Sequence, residues 1–135
     1  MPPFAGVYRW VDHTGEVELA IDAADEREVF ADALAALAEL LGVAGDILER
    51  RRVVASARDR PALLAAWLEE LLFLAESEGF EAERLESLSL TADGLEADVA
   101  GRLGEPPPLV KAVTYHRLEF ARTESGYRAR VVLDV

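Results

Sequence analysis

A chain of 135 residues, 51% of them hydrophobic, is long enough to build one domain around a real core. The absence of cysteine excludes disulfides, thiolate metal sites and cysteine nucleophiles, and two histidines are too few for a nitrogen-rich metal site. A net charge of −12 argues against unaided binding to a phosphate backbone, so no direct strong nucleic-acid binding is expected; a role in nucleic-acid biology would run through a basic protein partner.

The acids are spread along the chain, as expected for a solubilising surface. Met1-Pro-Pro-Phe-Ala5 has neither the basic start nor the apolar stretch of a secretory signal. No apolar run approaches the ~20 residues of a membrane span. The expectation is a soluble, cytoplasmic protein with no membrane contact.

In chain order, Tyr8–Val11 and Val17–Ala23 read as strands joined at His13-Thr14-Gly15. Asp25 caps a helix, with Glu28 completing a capping-box-like pair. Its apolar stripe is Phe30, Ala33, Leu34, Leu37, Leu40 and Leu41, and Gly42 ends it. Arg51–Ala57 reads as a strand. Asp59-Arg60-Pro61 opens a second helix with the stripe Leu64, Trp67, Leu68, Leu71, Leu72 and Ala75, closed by Gly79. Leu71-Leu72-Phe73-Leu74 on that helix is apolar nearly all round, which suits core with part left for a partner.

Phe80–Thr91 and Leu95–Leu103 pair about Asp93-Gly94, a hairpin signal. After a stiff proline loop, His116–Thr123 and Tyr127–Asp134 form a last hairpin across Glu124-Ser125-Gly126. The order predicts one α+β domain over residues 1–135. Its two helices pack on mostly antiparallel strands, covering one sheet or flanking two small ones.

Alternation along the last strand puts Tyr127, Ala129, Val131 and Leu133 on one face and Arg128, Arg130, Val132 and Asp134 on the other. If the first strands pair near the last, Asp12 and Glu16 join Asp134 and the α-carboxylate of Val135. Anionic oxygens that close need a cation or shared protons. The alternative from spacing alone is a solvated acid at a loose terminus.

Lys111-Ala-Val-Thr-Tyr-His116 gathers the chain's lysine, a tyrosine and a histidine, donors suited to an anion or an acidic partner. The alternative is a strand with Val113 and Tyr115 packed inside and Lys111 solvated. His13 could equally be a turn residue bonded to backbone. No serine lies in Gly-x-Ser-x-Gly, and Gly101-Arg-Leu-Gly104 lacks P-loop spacing.

Four landmarks in order resemble the archease family. The family's Asp-His-Thr-Ala-Asp corresponds to Asp12-His-Thr-Gly-Glu16 here, and its Trp-Leu-Asn-Glu-Leu-Leu-Phe to Trp67-Leu-Glu-Glu-Leu-Leu-Phe73. Its Val-Lys-Ala-Val-Thr-Tyr-His stands unchanged at Val110–His116, and its closing Leu-Asp-Ile corresponds to Leu133-Asp134-Val135. Glu16 and Glu69 depart from the family's aspartate and asparagine, and Gly15 from its alanine.

The resemblance implies a strand-helix-strand-strand architecture elaborated with a second such unit. It also implies an accessory of RtcB-type RNA ligases in tRNA splicing and RNA repair. Such a protein promotes ligase guanylylation and multiple turnover and is not itself a catalyst. The implied metal ligands are Asp12, Asp134 and Val135, with Glu16 as a further one, for a divalent cation: calcium first, then magnesium or manganese. The implied partner-activating residue is Lys111, and His13 and His116 accompany it in the matched motifs. Two other classes fit the residues: a general chaperone-like binding module, and a small metal-dependent hydrolase using Asp12, His13 and Asp134.

Overall fold

The computed structural model describes residues 7–13, 15–43, 45–104, 110 and 112–135, with Asp12 and His13 described through their backbone alone. Nine elements follow one another: β1 (Val7–His13), β2 (Glu16–Ala23), α1 (Glu26–Leu41), β3 (Ile47–Ser56), α2 (Arg60–Glu78), β4 (Phe80–Leu90), β5 (Gly94–Leu103), β6 (Ala112–Thr123) and β7 (Gly126–Asp134). The order is the expected one. β3 and β6 each begin four residues earlier than the sequence pattern indicated.

Local chemistry sets the helix ends. The Asp25 carboxylate accepts from the Glu28 N–H at 2.9 Å, and the Glu28 side chain reaches back to the Ala24 N–H at 3.0 Å. Asp59 caps α2 by accepting from the Ala62 N–H at 2.9 Å. Both helices stop where glycine takes the left-handed conformation, φ 68° at Gly42 and at Gly79.

The strands form two fully antiparallel sheets. One has four strands in the order β1-β2-β7-β6, the other three in the order β3-β5-β4. Of the two layouts the sequence left open, two small sheets is the one adopted. α1 packs on β2, β7 and β4, while α2 packs on β6, β3 and β4, so the helices join the sheets through one shared core. The predicted stripes face that core: Phe30, Leu34, Leu64, Trp67 and Leu68 are fully buried.

Trp67 lies at the centre of this layer. It stacks edge-on against Phe30 at 6.5 Å and donates its indole N–H to the Phe30 carbonyl at 3.0 Å. In the apolar run on α2, Leu71 and Leu72 are buried, whereas Phe73 is 54% exposed. Among the described residues no helix is long and apolar enough to cross a membrane.

Trp67→Ala should therefore cost about 3–5 kcal/mol in urea unfolding, from the cavity and the lost indole hydrogen bond together. Phe73→Ala should stay within about 0.5 kcal/mol, as for surface changes in general. Equal losses at the two positions would contradict this placement of the core.

Candidate functional site

The four-stranded sheet brings the ends of the sequence together. Glu16 on β2 stands opposite Asp134 on β7, with His13 opposite Glu16 and Ala112 opposite Asp134. Directly opposed residues of an antiparallel pair share a face, so the Glu16 and Asp134 side chains project side by side. Asp12 belongs to the next row, with Val17, Leu133 and Val113. The N–H of Val135 donates to the Gly15 carbonyl at 3.2 Å, which holds that residue against the β1–β2 turn.

Thus Glu16 and Asp134 are brought together, and Val135 lies beside them. Among the described residues no three histidine, aspartate or glutamate side chains converge on a metal-sized space. Lys111 lies outside the described residues, as does Thr14. His116 is exposed on β6.

The same face also carries a charged layer that the sequence pattern did not single out. β6 carries a wide bulge: Thr114 pairs with Val132, and the next pair is Glu119 with Arg130. Within the bulge Arg117 adopts φ 57°, a left-handed conformation uncommon outside glycine. Its guanidinium reaches over β7 to β2, 3.7 Å from Glu18 and 3.9 Å from Glu16. Arg130 approaches Glu18 from β7 at 3.6 Å.

This crossing explains two departures from strict alternation. Val132, expected on the outer face, is fully buried, and Glu18 is only 8% exposed. Both lie beneath the path of Arg117. Thr114 Oγ1, Glu119 Oε1, Glu18 Oε1 and Arg130 Nε are buried without hydrogen-bond partners among the described residues, and Glu18 meets Arg117 and Arg130 through long ion pairs in place of hydrogen bonds. The signal available in the sequence was Glu16 and Glu18 on alternate positions of β2, matched by Arg130 and Asp134 on β7.

Tyr115 is the first residue of the bulge. The solvated-strand alternative put it inside with Val113; Val113 packs on the core, but Tyr115 is 58% exposed and donates to Glu69 on α2 at 2.8 Å. That hydrogen bond, more than burial, pushes the Tyr115 phenol above its ordinary value. Glu69, a departure from the family's asparagine, is thereby engaged with the motif that contains Tyr115.

The family model described as the archease protein family (MTH1598/TM1083) matches residues 8–135. The chain belongs to the archease family. It is similar to protein archease of Archaeoglobus fulgidus, 32% identical across 95% of this chain and 98% of that one. Protein archease of Methanosarcina barkeri is 30% identical across 95% of each. The solution structure of Methanobacterium thermoautotrophicum protein 1598 superposes with a TM-score of 0.69 at 29% identity, over 95% of this chain and 98% of that chain. The two-sheet, two-helix fold is thus the family's fold.

Phenolate absorbance can resolve the tyrosines. Tyr8 is raised to about 12 by burial first and by its bond to Glu39 second, so it should titrate late. Removing the Glu69 charge with Glu69→Gln should return the Tyr115 transition toward its ordinary value and leave Tyr8 unmoved. The sign follows because a carboxylate opposes formation of a second anion beside it. An unchanged titration would contradict the Tyr115–Glu69 bond.

Proposed function

We propose that the chain is an accessory protein of an RtcB-type RNA ligase, raising guanylylation and turnover of the ligase rather than joining RNA itself. The observation that carries this reading is the family match over residues 8–135, together with the unchanged run Val110–His116. The net charge of −12 fits action through a protein partner rather than through an RNA backbone.

A divalent cation belongs to the same reading. The residues that would hold it are Glu16 and Asp134, paired across β2 and β7, with Val135 beside them; Asp12, one row away in register with Val17 and Leu133, is the further ligand the resemblance implies. The donor chemistry fits a hard cation: Glu16 and Asp134 are neighbouring oxygen donors on one face, with neither thiol nor imidazole required. Bound there, the cation would supply charge neutralisation to an edge of like charges. The protein's own part is positional: the β2–β7 register sets the carboxylates beside one another, and the Val135 N–H bond to Gly15 closes the corner.

Lys111 is the residue we assign to ligase activation. A long cationic side chain in that motif can reach a phosphate or an acidic group on a partner.

In a ligation time course with limiting RNA ligase and GTP, added protein should increase guanylylated ligase and product per ligase, while the protein alone should do nothing to RNA. Unchanged turnover would overturn the reading, and RNA cleavage by the protein alone would favour a hydrolase. Lys111→Ala should fold like the parent and stimulate poorly; full stimulation at limiting protein would leave Lys111 without this role.

Asp134→Ala should weaken calcium binding measured by calorimetry and cut stimulation, with little change in melting temperature in the absence of calcium. Asp134 is on the face opposite Leu133, so its removal opens no core cavity. Because a ligand bound only by the native state raises stability, calcium should raise the melting temperature of the parent more than that of the variant. Identical calcium shifts would place the cation elsewhere.

A further inference from the structure

Arg117 joins backbone strain and charge at the acidic edge. Among the described residues it is the non-glycine residue with positive φ, and its side chain spans β7 to meet Glu16 and Glu18 of β2. Its two ion pairs differ in what else supports them. Glu18 also has Arg130 at 3.6 Å, whereas Glu16, the neighbour of Asp134, has Arg117 as its paired cation among the described residues. The contact to Glu16 at 3.9 Å is also loose. Arg102–Glu83 at 2.7 Å and Arg50–Glu86 at 2.6 Å are hydrogen-bonded pairs, and the Arg117 contacts are not.

We propose that Arg117 is a built-in competitor for the divalent cation: its guanidinium neutralises Glu16, and a cation binding at Glu16 and Asp134 exchanges with it. This rests on reading the edge as a cation site. The exchange is possible because of where the partners lie. When the Glu16 pair is broken, Arg117 still has Glu18 within reach, and Glu18 retains Arg130 in any case. No buried carboxylate is left uncompensated, which is the usual penalty for breaking such a pair.

The arrangement sets the cation affinity of the edge, because a binding ion must displace one positive charge and remain near it. The same charge lowers the repulsion between Glu16 and Asp134 when no ion is bound, so the edge tolerates both conditions. An uncharged side chain at position 117 would shift that balance without altering any ligand.

Calcium titration by calorimetry at low salt tests this on the whole chain. Arg117→Gly should bind calcium on the order of tenfold more tightly than the parent, and the gain should shrink as salt is added. Glycine suits φ 57° and Glu18 keeps Arg130, so this variant should fold like the parent without calcium, at a modest loss in melting temperature from uncovering Val132. Arg117→Asn, which also tolerates that backbone, should show the same gain, while Arg117→Lys should stay near the parent.

Arg128→Ala controls for net charge: it removes a cation at the far end of β7, where Arg128 pairs with Asp22. Its effect should remain within about twofold. In a Glu16→Gln background, Arg117→Gly should bring no gain.

If the parent binds calcium and Arg117→Gly binds no more tightly, or gains no more than Arg128→Ala, the competitor role is overturned while the cation site stands. If neither parent nor Arg117→Gly binds, both the site and the competitor are overturned; ligase stimulation, measured separately, is unaffected by that outcome.

Discussion

The pairing of β2 with β7 is the constraint on which the rest depends. These strands come from opposite ends of the sequence, yet they occupy the centre of the four-stranded sheet, with β1 and β6 hung on either side. Their register is fixed by the core: Leu19 and Ile21 face inward beside Val131 and Ala129, all of them buried. A one-residue slip would turn that entire set toward solvent. The opposition of Glu16 and Asp134 is therefore imposed by hydrophobic packing, against the local preference of like charges to separate.

Placing two acids side by side carries a cost, and the surrounding residues respond to it. Arg117 crosses from β6 to reach Glu16 and Glu18, and Arg130 supports Glu18 from β7. The crossing starts from the bulge in β6, whose first residue, Tyr115, donates to Glu69 of α2. One irregularity thus links the acidic edge to the helix bearing Trp67 and Phe73. The segment from Val110 to His116, which matches the family motif without change, leads directly into it.

Much of the fold was legible in the sequence because its signals are local. Asp25 and Asp59 before amphipathic stripes, and Gly42 and Gly79 after them, gave both helices; the turns at Gly15, Asp93-Gly94 and Ser125-Gly126 gave the hairpins. The early start of β3 was hidden because Ile47–Arg50 is exposed on an edge strand and shows no alternation. The bulge was hidden for a different reason: its left-handed residue is an arginine, where the pattern leads one to look for glycine or asparagine. Asp134 could be placed on the outer face from alternation, but its partner could not, since register between distant strands is decided by the core. The acids proposed as ligands were readable as residues; the arginine that pairs with Glu16 was not.

The β2–β7 register sets Glu16 beside Asp134, and the cation proposed for that edge is what remains to be measured. Amide NMR of the whole chain during a calcium titration tests it directly. The expected result is a saturable set of shifts at Gly15, Glu16, Asp134 and Val135, extending to Arg117 across β7, with β3, β4 and β5 unmoved. Saturable shifts centred on the three-stranded sheet, or none at the β2–β7 corner, would contradict it.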